Sequence, residues 1–538
     1  MQKFQGPDLL LVETALADLE QRDVVGRMWR KDHTVWKPDP TEITNRLGWV
    51  DVIDAMRGQV PELVGFARQV REAGFRHVVL LGMGGSSLGP EVLRQTFGSA
   101  ASFPELMVLD STVPAWVLAV QESIDPARTL FLVSSKSGGT IEVMSLYKYF
   151  RSLVEQAVGR ETFGQNFVAV TDPGTSLEKL AREQGFRRVF LNPHDIGGRY
   201  SVLSYFGLVP AALTGLDVAT LLERAGAIHD ACAASVPIRQ NPGAWLGAAM
   251  GAFALSGRSK LTLIASSSIG SFGLWVEQLI AESTGKEGKG IIPIADEPLM
   301  DPQFYGDDRV FVYLRLEGDD NTSPDAAVEG IAESGQPVVR LDLPDRLDLG
   351  AEFFRWELAT AVAGAVLGIQ PFDQPNVQQS KDVTSAVLRE YQQSGRFPEI
   401  AAPSSPRDLL LQSQAGDYLA IMAYLRPTPE VEAALTELRR AVMERFRVAT
   451  TLGYGPRFLH STGQLHKGGP GNGLYLQLVA DRTQNIPIPG EQYTFGTLCD
   501  AQALGDLQAL QAQGRRVARV RLGTDNASEI RRMARELA

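Results

Sequence analysis

Four short, unbroken apolar runs recur early in the chain: Val78-Val-Leu-Leu81, Leu106-Met-Val-Leu109, Thr129-Leu-Phe-Leu-Val133 and Phe167-Val-Ala-Val170, each followed by a stretch of helical period. A strand with one wet face alternates polar and apolar residues, whereas a strand apolar at every position must be covered on both sides. The pattern predicts a parallel sheet sandwiched between helices. A second block after Gly243 repeats it, with strands expected over 261–265, 310–314 and 338–343 and a helix over 272–282. Beyond a polar, Pro-rich stretch at 397–406, strands are expected again over 418–422, 474–479 and 517–522. Residues 310–343 and 474–522 share a strand, helix, glycine, strand outline, which is either a weak internal repeat or the commonness of such units. The fold class expected is α/β with mainly parallel sheets: an N-terminal helical arm over 1–60, a first domain over 61–235, a second over 236–400, and a C-terminal α/β segment over 401–538 completing the second domain.

Bulk properties narrow the function. With 44% apolar and 21% charged residues, the 538-residue chain has the composition of an ordinary globular protein of two or three domains. Its formal net charge of −11 argues against nucleic acid or an anionic membrane as partner, so an anionic ligand needs a local positive site. The two cysteines, Cys232 and Cys499, are far apart and in no metal-type spacing, and the start of the chain carries no apolar core of signal-peptide length. A cytoplasmic protein is expected.

The third apolar run empties into Ser134-Ser-Lys-Ser-Gly-Gly-Thr-Ile-Glu142 just before a helical pattern. At such a junction the first backbone N–H groups of the helix lack partners and the dipole favours an anion. Ser135, Ser137 and Thr140 add hydroxyls and Lys136 a point charge, so the loop is either a phosphate cradle or an ordinary helix cap. The first run ends similarly, in Gly82-Met-Gly-Gly-Ser-Ser-Leu-Gly-Pro90. A dinucleotide loop competes there, since Asp110 closes the next strand, but the third glycine of that fingerprint is missing. Arg199 follows a glycine pair and reads as an oxyanion stabiliser or as a structural partner of Asp195. Gln278 and Glu282 lie four apart on one helix face, where a solvated surface pair is the plain alternative.

Taken together these motifs resemble the phosphoglucose isomerase family. Gly82-Met-Gly-Gly-Ser-Ser-Leu-Gly-Pro90, Ser135-Lys-Ser-Gly-Gly-Thr-Ile-Glu142, Gly197-Gly-Arg-Tyr-Ser201, Glu282-Ser-Thr-Gly-Lys286 and Phe372-Asp-Gln-Pro-Asn-Val-Gln-Gln-Ser-Lys381 occur in the family's order across some 300 residues. The resemblance implies two sugar-isomerase (SIS) domains of α/β/α type and interconversion of glucose 6-phosphate and fructose 6-phosphate through a cis-enediolate. It assigns Glu282 as base, Arg199 as stabiliser of the enediolate, Lys381 to ring opening and proton handling, and Gln278 and Gln374 to positioning. Ser135, Lys136, Ser137 and Thr140 match the phosphate loop, and Gly85 and Ser86 the sugar-contacting turn. It implies a homodimer and no metal or other cofactor.

Two departures stand out. Asn376 replaces a small residue of the pattern, and no histidine lies between Glu282 and Lys381, where the family keeps its ring-opening histidine. A similar stretch, Phe458-Leu-His-Ser-Thr-Gly-Gln-Leu-His466, follows the lysine instead, and His466 is favoured there over His460. This order, with Trp29-Arg-Lys-Asp-His-Thr-Val-Trp36 and Asn45-Arg-Leu-Gly-Trp49, looks like the isomerase half of transaldolase/phosphoglucose isomerase fusion proteins. No stretch before Phe75 is long enough for an α/β barrel, so no transaldolase activity is expected. Mannose 6-phosphate as a second substrate, and a sugar-phosphate-binding regulator without catalysis, are the alternatives.

Overall fold

The computed structural model describes residues 2–538. A strand of the arm, β1 (Gln2–Gln5), opens the chain. The first sheet follows, with β2 (His77–Leu81), β3 (Glu105–Leu109), β4 (Thr129–Ser134), β5 (Phe167–Thr171) and β6 (Arg188–Leu191) in the order β3-β2-β4-β5-β6, all parallel. Successive residues of β2 enter different cores. Val78 and Leu80 join the core shared with the second sheet, while Val79 and Leu81 pack with Phe150 and Val154 of the helix Ile141–Val158. Burial on both faces is the physical reason these strands read as unbroken apolar runs.

The second sheet contains β7 (Lys260–Ala265), β8 (Ile292–Ile294), β9 (Arg309–Leu316) and β10 (Val338–Leu343), ordered β1-β10-β9-β7-β8. Its four own strands are parallel, and β1 adds an antiparallel edge. The arm is thus helical over Leu9–Gln21 and Val24–Trp29 but begins as a strand that the sequence reading misses, a four-residue segment too short to show a period. The arm is pinned along its length. Trp36 donates its indole N–H to the Ala361 carbonyl at 2.8 Å and meets Phe372 edge-on, and Trp49 packs on Tyr200.

Residues from β11 (Tyr418–Tyr424) onward, with β12 (Ala449–Tyr454), β13 (Gly473–Ala480) and β14 (Arg516–Leu522), form a parallel sheet of their own in the order β12-β11-β13-β14. The sequence leads one to expect that the C-terminal segment completes the second domain, yet it adds no strand to the second sheet. One face of its sheet is closed by the helices Pro429–Phe446 and Asn526–Leu537. The other face packs with Ile292 and Ile294 of β8, and its helix Phe495–Ala512 also places Phe495, Leu498 and Ala501 in the core of the first sheet. The segment therefore bridges both preceding units. The two repeat-like segments are each a strand, helix, parallel-strand unit, β9 to β10 and β13 to β14. No helix among the described residues is long and apolar enough to cross a membrane.

Candidate active site

A cleft of about 490 Å³ opens at the C-terminal ends of β2 and β4, where strands give way to helix N-termini. One wall is the loop after β4. Lys136, Ser137 and Thr140 line it, Lys136 pairing with Asp172 and donating to the His194 carbonyl at 3.1 Å. Thr140 is the N-cap of the following helix but makes no side-chain cap; its hydroxyl meets that of Ser135 at 3.0 Å. Ser135 itself is buried behind the loop, where its hydroxyl also accepts the Gly138 N–H, so it shapes the cradle and does not line it.

The turn after β2 presents Gly84, Gly85 and Ser86 to the same cleft. A Cβ on Gly85 would lie 1.9 Å from the Gly198 carbonyl oxygen, and one on Gly84, at φ +56°, 2.7 Å from the His460 carbonyl. The glycines are there because three backbones converge on one point.

Glu282 lies near the end of the helix Phe272–Thr284, buried rather than solvated. Its carboxylate accepts the Gln278 amide at 3.1 Å and stands 3.6 Å from the Arg199 guanidinium. Arg199 is not paired with Asp195. It donates to Ser283 Oγ (2.8 Å), Gln374 Oε1 (2.8 Å) and the carbonyls of Pro371 (2.7 Å) and Asp373 (3.0 Å), a web that fixes a buried charge beside Glu282. Lys286 supports the same loop through Asp373, and burial, with the nearby charge of Arg199, pushes its ammonium down to about 8. Lys381, exposed on the helix Pro375–Ser394, also lines the cleft.

Of the two candidate histidines His460 lines this cleft, where His194 also stands, and His466 is not brought to it. His460 Nε2 lies 2.9 Å from a Glu142 carboxylate oxygen, and the His460 carbonyl accepts the Gln278 amide at 2.8 Å. His466 is enclosed between the rings of Phe458 and Tyr475, its Nδ1 without a hydrogen-bond partner, and burial drives its imidazole far below the usual range, so it is neutral. The preference for His466 rests on its glycine- and glutamine-flanked setting; the short helix Gly463–Gly468 turns that setting inward, while the preceding turn, Arg457–His460, presents His460 outward.

Glu142, quoted in the loop motif but given no role by the sequence, is the partner that reading misses. An acid two positions past a helix N-cap reads as a dipole partner, which hides a second use. Its burial pushes the carboxyl up, but the charge and hydrogen bond of His460, with Lys381 beyond, outweigh that and hold it below the ordinary glutamate value. A side cavity of about 230 Å³ adjoins the cleft past Lys381, Thr140 and His460. Among the described residues no group of three or more His, Cys, Asp or Glu could hold a metal ion.

A family model for phosphoglucose isomerase matches residues 50–291. The glucose-6-phosphate isomerase of Rubrobacter xylanophilus is 31% identical over 366 residues, 60% of this chain and 84% of that protein. A probable glucose-6-phosphate isomerase of Methanococcus maripaludis is 27% identical over 385 residues, covering 64% and 85%. Among solved structures, a hypothetical protein from Thermus thermophilus superposes with a TM-score of 0.61 at 25% identity, over 72% of this chain and 99% of that one. A glucose-6-phosphate isomerase from Chlamydia trachomatis gives a TM-score of 0.62 at 18% identity, over 74% and 90%, a likeness of fold. On these matches and the motifs they span, the chain belongs to the phosphoglucose isomerase family.

Proposed function

We propose that this protein interconverts glucose 6-phosphate and fructose 6-phosphate, with the proton carried between C2 and C1 by Glu282. The observation that supports this most is the pairing of Glu282 with Arg199 at 3.6 Å in a cleft whose far wall is the Lys136, Ser137 and Thr140 loop. That loop holds the 6-phosphate by hydroxyl and backbone N–H donors at the helix start, with Lys136 as counter-charge. Gly85 and Ser86 contact the sugar, and Gln278 and Gln374 fix the two charged groups.

Ring opening comes first. With Glu142 ionised, the Nε2–H of His460 donates to it and leaves Nδ1 as the nitrogen that moves a proton between the anomeric hydroxyl and the ring oxygen, with Lys381 lining the same cleft. In the open-chain aldose, Glu282 then removes the C2 proton. Negative charge develops on the C1 and C2 oxygens of the cis-enediolate, and the fixed guanidinium of Arg199 stabilises it without reorganising. Return of the proton to C1, with the hydroxyl proton of O2 passing to O1, gives the ketose.

A homodimer in the reducing cytoplasm belongs to the same proposal, as does kinship with the isomerase half of transaldolase fusions, for which the position of His460 after Lys381 is the support. A coupled assay on fructose 6-phosphate tests the reading. Turnover supports it, whereas tight binding without turnover at any pH would make the protein a sugar-phosphate-binding regulator. Running mannose 6-phosphate in parallel reads whether specificity is single or dual.

A further inference from the structure

Gln502 lies on the helix Phe495–Ala512, which packs on the C-terminal sheet and buries mainly apolar and small residues, with Asp506, paired with Lys467, one turn further on. It is buried, and its amide is used at both ends. The Nε2 group donates to Glu142 Oε1 at 2.7 Å, the same oxygen that faces His460, and Oε1 accepts from the Thr112 hydroxyl at 2.7 Å. Thr112 sits in the loop after β3 and is fully buried. The hydroxyl bond matters because a glutamine amide can turn over; a donor fixed at Oε1 leaves only the NH₂ edge facing the carboxylate. Thr112, Gln502, Glu142 and His460 thus form one chain of hydrogen bonds across four elements.

We propose that Gln502 is a positioning residue for the ring-opening histidine: its amide, oriented by Thr112, holds Glu142 ionised and aimed at His460. This rests on the isomerase reading given above. A buried carboxylate favours its charged form in proportion to the donors it receives, and removing one shifts it towards the neutral acid. Protonated Glu142 presents an O–H of its own to Nε2 and so favours the tautomer with the proton on Nδ1, which removes the base. Other groups act on Glu142 from the elements packed around it. Lys381 on the helix Pro375–Ser394 favours the ionised form, Tyr424 on β11 faces it from the C-terminal sheet, and none of them supplies the donor that Gln502 does.

The test is the pH dependence of kcat/KM on fructose 6-phosphate in the full chain, for the wild type, Gln502→Met and Gln502→Glu. Met keeps the length of the side chain and removes the donor; Glu places a second carboxyl against the first. The expected result is a loss of about tenfold in kcat/KM for Q502M at neutral pH, with KM changed little. The acid limb moves to higher pH in Q502M and further in Q502E. Thr112→Val, which frees the amide to turn, moves the limb the same way by less and serves if a Gln502 variant fails to fold. A folded Q502M with kcat/KM within twofold of wild type and an unmoved acid limb, or an unmoved limb in T112V where Q502M does not fold, overturns the role. Wild-type protein that does not isomerise either sugar phosphate overturns the functional reading and this proposal with it.

Discussion

The Nε2 atom of His460 lies 2.9 Å from a carboxylate oxygen of Glu142, although 318 positions separate the two residues in the chain. One belongs to the helix that opens the phosphate loop of the first sheet, the other to a turn of the C-terminal sheet. The contact therefore exists only once the C-terminal segment has docked, which ties the reaction to a part of the chain beyond the match to the family model.

That docking separates the two histidines by experiment. His460→Ala is expected to slow turnover of the ring-closed hexose phosphate by about 10²-fold, the usual worth of a placed acid–base group, while melting temperature changes little. His466→Ala removes a ring packed against Phe458 and Tyr475 and is expected to cost about 2 kcal/mol of stability with a far smaller loss of kcat. Steady-state rates and thermal melts of both variants decide it; the reverse pattern would return the role to His466.

Gly85 carries a steric prediction. With the Gly198 carbonyl 1.9 Å from where a Cβ would sit, Gly85→Ala must push apart the turn after β2 and the loop that carries Arg199. A loss of about 1–3 kcal/mol in urea unfolding, with a fall in kcat/KM, is the expected outcome. Gly139→Ala, in the phosphate loop where a Cβ meets nothing within 4 Å, is the control for stability.

Glu277 makes stability depend on pH. It is buried beside the His460 turn, and desolvation, with Asp296 adding to it against the pull of Arg439 and Arg457, raises its carboxyl to about 8. Between about 4.5 and about 8 the folded chain keeps a proton that the unfolded chain has released, so this group's contribution falls as pH rises through that window and levels off above it. Glu277→Gln removes the slope. Its unfolding free energy relative to wild type is expected to be higher at pH 8.5 than at pH 5, on the order of 1 kcal/mol or more; an equal difference at both pH values would contradict the buried, protonated state.

Much of this was legible in the sequence because it is local. Unbroken apolar runs located β2 to β5 at once, and the glycine and serine motifs marked both loops that line the cleft. What escaped was short or long-range. β1, β6 and β8 have four, four and three residues, too few for a period to show, and the six-residue β12 is interrupted by Thr450, Thr451 and Gly453. The choice between His460 and His466 turned on two adjacent short turns, one that buries His466 and one that leaves His460 on the cleft wall, and flanking residues alone do not reveal which way such a turn faces. Ser135 had the right chemistry for a phosphate ligand but is spent on holding Thr140 and Gly138. Gln502 is one of several polar side chains on its helix, and it acquires meaning only beside Glu142 and Thr112.

The most direct measurement follows fructose 6-phosphate in D₂O by proton NMR with wild-type protein and Glu282→Gln. Wild type is expected to form glucose 6-phosphate carrying deuterium at C2, and E282Q to lose both isomerisation and exchange by at least about 10³-fold while still binding the sugar phosphate. Product formation by E282Q within tenfold of wild type would contradict Glu282 as the group that carries the proton.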